Sequence, residues 1–101
     1  MIYLTQLIYI HEGKEDVFNE FESYAIPIIA HYNGQLALRV RPESSAIIKT
    51  GSMEAPYEIH LVSFSTEADF NAFMADKERQ KYLHLKEESI RVSFLVKGEK
   101  L

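Results

Sequence analysis

The stretch YEIHLVSF, Tyr57 to Phe64, reads as a strand yet carries Glu58 and His60 two positions apart among its apolar residues. In an extended chain alternate side chains share a face, so this pair stands together, about 6.5 to 7 Å apart at the backbone. A carboxylate beside an imidazole can hold its tautomer and raise its basicity, which a general base requires. The spacing therefore marks His60 as a candidate base and Glu58 as its orienting partner. The plain structural alternative is a pair of ion bridges to neighbouring strands, through Arg39 or Arg91, that only satisfy buried polarity. Arg39 and Arg91 are also candidate ligand-binding residues, because a guanidinium fork matches a carboxylate and grips it more strongly in a dry cavity. Tyr3 and Tyr9 add hydroxyl donors to that set, with interface packing as their alternative. Arg41 reads as solvated charge at a sheet edge, and His11, His31 and His84 as solvated histidines.

Other chemistries find little support. With no cysteine, thiolate zinc sites, disulfides and cysteine nucleophiles are excluded. No His and carboxylate spacing matches a metal motif, and neither a Gly-rich phosphate loop nor a Ser nucleophile elbow occurs, so no metal and no cofactor is expected. A formal charge of -4, from 11 basic and 15 acidic residues, argues against nucleic acid or an anionic membrane as partner. The opening MIYLTQLIYI has no basic n-region and is interrupted by Thr5 and Gln6, which fits neither a signal peptide nor a spanning helix. A cytoplasmic protein is expected. At 101 residues there is room for one core, so residues 1–101 are expected to form a single domain.

The elements that must position these residues follow from periodicity. Ile2 to Ile10 suits a central strand. From Lys14 to about Tyr32, Val17, Phe18, Phe21, Ala25, Ile28 and Ile29 recur at helical spacing, with Glu15, Asp16, Asn19, Glu20 and Glu22 assigned to the outer face. Pro27 predicts a kink or break there, and Asn33-Gly34 a left-handed cap. Gln35 to Arg41 alternates as a second strand, and the segment from Glu43 to Pro56 could extend it past a bulge or form a hairpin arm. After the third strand, Thr66 is the expected N-cap of a helix beginning near Glu67. Lys77 to about Glu88 reads as an exposed, locally charge-paired helix with Tyr82 and Leu85 turned inward, and Ile90 to Val96 as the fourth strand.

Strand, helix, strand, strand, helix, strand is the ferredoxin-like βαββαβ order of an α+β protein, with both helices on one face of a four-stranded antiparallel sheet. The open face calls for cover, most simply a second copy of the same sheet. Turning the more apolar set of each strand to the helices sends Leu36, Leu38, Val40, Ile59, Leu61, Val92 and Phe94 inward with Ile2, Leu4, Ile8 and Ile90. Glu58, His60, Arg39, Arg41, Arg91, Tyr3 and Tyr9 then line the opposite face, towards a partner sheet.

Two stretches, PIIAHYNGQLALR and TGSMEAPYEIHLVSFSTEADFNAF, resemble the dimeric α/β-barrel superfamily, and within it a small uncharacterised bacterial family related to antibiotic-biosynthesis-type monooxygenases. The resemblance covers most of the chain and implies that two sheets close a dimeric barrel. Relatives on this fold include cofactor-independent monooxygenases, lactone isomerases and haem-degrading enzymes. The oxygenase and haem-degrading relatives use pocket tryptophan, of which this chain has none. The expected protein is a homodimer whose barrel cavity binds a small anionic or carbonyl-containing metabolite, processed by proton transfer at His60 and Glu58. The alternatives are a non-catalytic binding or assembly module, and a monooxygenase-like or haem-handling protein.

Overall fold

The computed structural model describes residues 1–43, 45, 51–99 and 101. β1 (Ile2–Ile10) leads into α1 (Glu15–Ile29), a 3-10 turn (Ala30–Tyr32) and β2 (Gly34–Val40); β3 (Glu58–Phe64), α2 (Glu67–Met74), α3 (Lys77–Gln80), α4 (Leu83–Ser89) and β4 (Ile90–Glu99) follow. The strands pair antiparallel in the order β2-β3-β1-β4, the ferredoxin-like arrangement. The expected arm around Ala46 to Ile48 lies outside the described residues. Among the described residues, no helix is long and apolar enough to cross a membrane.

Local signals operate as their chemistry dictates. Thr66 Oγ1 accepts from the Asp69 backbone N–H at 3.1 Å, capping α2. Asn33 takes the left-handed conformation, φ 57°, that ends the turn after α1. α1 runs through Pro27 and tightens only at Ala30, because the lost donor falls in its last turn. Gly34 is required for space, since a Cβ there would lie 2.6 Å from both Ile29 Cγ2 and Phe64 Cε1.

The helices cover one face. Leu4 and Phe64 from the sheet pack with Ile28, Ile29 and Phe73 from the helices, and a second cluster joins Phe21 and Ala25 of α1 to Leu85 of α4. Tyr24 and Tyr82 stack at 3.8 Å, binding the same two helices nearer the surface.

Two irregularities decide which side chains share a face. β2 advances from Leu36 to Leu38 while β3 advances only from Val62 to Leu61, so Ala37 is an extra residue. Tyr9 pairs with Val92 and Ile10 with Ile90, leaving Arg91 as the extra residue on β4. The expected faces are corrected in β2 and β4 by these bulges, and in β3 as a whole. In β3 it is Glu58, His60, Val62 and Phe64 that share the helix face with their partners Ile8, Gln6, Leu4 and Ile2. Ile59 and Leu61 turn to the open face. Past the bulge Arg39 pairs with His60 on the helix side, while Leu38 and Val40 turn outward. Val92 and Phe94 also lie on the open face, opposite Tyr9 and Leu7. The β1 assignment stands: Ile2, Leu4 and Ile8 face the helices, and Tyr3 and Tyr9 face away.

Candidate functional site

Turning Glu58 under the helices places it almost out of reach of water, at 1% exposure. An isolated carboxylate there would be costly, so its partners are decisive. Arg39 Nε donates to Oε2 at 2.9 Å, Arg41 Nη2 donates to Oε1 at 2.7 Å, and His60 Nε2 bonds Oε2. Burial by itself would push the Glu58 carboxyl up, but these three bonds outweigh it and hold the pKa at about 2. Glu58 is thus ionised and can only accept. The His60 Nε2 hydrogen must point to it, so Nδ1 is the ring nitrogen left to take up a proton. Arg41 is no free edge charge: its Nη2 also reaches Asn19 Oδ1 at 3.0 Å, and its guanidinium lies 4.5 Å from the centre of the Tyr57 ring.

His60, 4% exposed, stands in the wall of a cavity of about 130 Å³ between sheet and helices. Leu4, Gln6 and Val62 form its floor beside His60, and α1 and α2 supply Ala25, Ile29, Phe73 and Met74 above. Three charged side chains complete the roof: Glu22, Arg79 and Lys86. This is the reverse of the expected placement, in which the polar set looked towards a partner sheet. The cavity belongs to a single chain.

Glu22 and Arg79 are the residues that the sequence reading missed. Glu22 is 6% exposed rather than on the outer face of α1, and among the described residues it makes no hydrogen bond or ion pair. Burial raises its pKa, pulled back in part by the charges of His60, Arg39 and Arg79 and pushed further by Glu58. Arg79, expected on an exposed helix, is also 6% exposed, with its guanidinium 5.1 Å from the Phe73 ring centre.

The other predicted site residues lie elsewhere. Arg39 is committed to Glu58 and does not line the cavity. Tyr9 Oη donates to the Glu54 carbonyl at 2.9 Å, and Arg91 Nη2 grips the Glu54 carboxylate at 2.8 and 2.6 Å, so both border a shallow groove beyond the open face. Tyr3 lies opposite Ser63 on the open face, across the sheet from His60. His11, His31 and His84 are exposed, as expected.

One oxygen of Glu22, one of Glu58 and a ring nitrogen of His60 fall within 4.8 Å of one another, a grouping that could hold a metal ion. Glu58 already satisfies two guanidinium groups, however, which leaves one uncommitted carboxylate and one imidazole. That set suits a proton better than a divalent cation.

Fold and cavity together define a ferredoxin-like α+β protein with an enclosed polar cluster beneath its helices. A comparison of the sequence with known protein families finds no match, and neither does a comparison with curated proteins. Solved structures do match. A protein of unknown function from Rhodopseudomonas palustris superposes with a TM-score of 0.84 at 11% identity, covering 99% of this chain and 82% of its own. An antibiotic biosynthesis monooxygenase-like protein from Nitrosomonas europaea gives 0.76 at 10% identity over 100% and 99%. A dimeric ferredoxin-like protein of unknown function from Jannaschia gives 0.71 at 18% over 98% of each chain. Identities this low establish the fold and leave the chemistry to the residues.

Proposed function

We propose that this protein is a homodimer in which each chain's cavity binds a small anionic or carbonyl-containing metabolite and processes it by proton transfer. His60 Nδ1 is the base, Glu58 the group that orients the ring, and Arg39 and Arg41 the charges that keep Glu58 ionised. The observation that carries the reading is the coupling of an ionised, doubly clamped carboxylate to an imidazole in a cavity wall. An ion pair serving packing alone has no need of an adjoining cavity. The dimer is supported by the apolar open face and by the dimeric neighbour. The oxygenase alternative is supported by a neighbour's name alone.

Mass spectrometry of small molecules released from the purified protein tests occupancy and identifies the ligand. With that ligand, His60→Ala is expected to lower turnover by about 100-fold or more, the usual weight of a general base, while sedimentation shows an intact dimer. Unchanged affinity and turnover would remove the assignment. A variant that dissociates before its ligand affinity changes would favour the non-catalytic assembly module.

A further inference from the structure

We infer that the helix wall of the cavity is the other half of the site: Arg79 and Lys86 take the carboxylate of a small enolisable oxo acid, while Glu22 protonates its keto oxygen. This rests on the proton-transfer reading above and gives it a substrate class.

Arg79 supplies the first observation. It lines the cavity at 6% exposure, its Nη1 donates to the Met74 carbonyl at 3.3 Å, and its buried Nε has no hydrogen-bond partner among the described residues. A buried guanidinium N–H without an acceptor is costly, and an anion in the cavity removes that cost. Lys86 lines the same wall. Glu22 supplies the second observation, as a buried carboxyl with no partner among the described residues, within 4.8 Å of the His60 ring and Glu58. Size supplies the third. A cavity of about 130 Å³ is close to the roughly 150 Å³ that holds benzene, so a four- or five-carbon acid is the right scale. Four cationic side chains, Arg39, Arg41, Arg79 and Lys86, surround two carboxylates, which favours an anion over a metal ion.

The step balances without a co-reactant. His60 Nδ1 takes the proton from the carbon beside the keto group, and the electrons of that C–H bond form the new C=C. The carbonyl π pair moves onto oxygen, which receives the Glu22 proton, leaving an enol, an imidazolium and a carboxylate. Reversal returns each proton to the carbon and the carboxylate oxygen it came from, and in heavy water the carbon takes deuterium instead. Nothing is oxidised or reduced.

The test follows deuterium exchange of the C3 protons of 2-oxobutanoate in heavy water by NMR, with oxalate as a planar enolate mimic in thermal melts. The intact protein should accelerate exchange over buffer and be stabilised by oxalate. Glu22→Gln should lower the saturated exchange rate by about 100-fold with little change in half-saturation. Arg79→Met should raise half-saturation by about tenfold or more, as expected for loss of a charged donor, with the saturated rate nearly kept. Should Arg79→Met not fold, Arg79→Lys is expected to shift half-saturation in the same direction. If His60→Asn abolishes exchange while the Glu22 and Arg79 variants match the parent, this inference is overturned and the proton-transfer reading stands. If the intact protein neither exchanges 2-oxobutanoate nor responds to oxalate, the substrate class is wrong. Stabilisation by Mn²⁺ that Glu22→Gln abolishes would overturn the inference in favour of a metal site.

Discussion

Glu22 and Glu58 are both nearly inaccessible, yet their proton equilibria are displaced in opposite directions. Burial raises the Glu22 pKa, so the folded chain holds that proton more tightly than the unfolded one. Its contribution is fully present below the ordinary carboxylate range and is lost as pH rises through the raised value. Glu58 is held at about 2, so its contribution is present above the ordinary 4.5 and is lost as pH falls towards about 2. Glu22→Gln is therefore expected to raise Tm at pH 7 by roughly 4–8 °C, the shift that about 1 kcal/mol gives in a domain of this size. That gain should shrink to nothing near pH 4, whereas the disadvantage of Glu58→Gln should persist there and fade only in stronger acid. Thermal melts across pH check both signs; a gain for Glu22→Gln that is constant with pH would contradict the assignment. A variant more stable and less active is what a functional buried charge predicts.

The elements were largely legible in the sequence, because their signals are local. Thr66 announces a helix start by its own hydroxyl, and Asn33-Gly34 ends the preceding one. Gly34 also shows what local reading misses: its lack of a side chain lets Ile29 and Phe64 close over it, a contact between three separate elements. Gly34→Ala is expected to destabilise by about 1–3 kcal/mol through overpacking, measured by denaturant titration, although alanine has better intrinsic strand and helix tolerance. Glu22 left a usable signal, since it stands four residues after Phe18 and three before Ala25, inside the apolar stripe of α1. A single charge in such a stripe should have been read as facing the core. Arg79 left none, because α3 is a four-residue helix, too short for a period to emerge. Nor could strand parity survive Ala37 and Arg91, since one extra residue reverses every assignment beyond it.

At the scale of the whole molecule, the described residues span 36 × 35 × 17 Å, the thickness of one sheet and one helix layer. The open face exposes Leu38 at 48%, Phe94 at 50% and Val96 at 63%, with Val40 and Val92 beside them. Apolarity could not say which face the helices cover, because both faces carry apolar side chains and the one the helices leave open is the more uniformly apolar. Phe94, set edge-on to Tyr9 at 5.9 Å, lies within that patch. Phe94→Lys is expected to weaken self-association by roughly 2 kcal/mol or more, seen as monomer in sedimentation at micromolar concentration. Cavity chemistry measured per folded chain should be far less affected, since the lining comes from one chain. A parent protein that sediments as a monomer would defeat the dimer proposal.

Ala37 gives β2 one residue of slack. Loss of its one codon would leave Leu36 opposite Val62 and bring Leu38 opposite Leu61 in unbroken register, so Arg39 and Arg41 would stay with Glu58 while Leu38 and Val40 kept the open face. For a lineage built on this fold, one small in-frame deletion at that point is thus a change the sheet absorbs, with the Glu58 cluster and the open apolar face both kept.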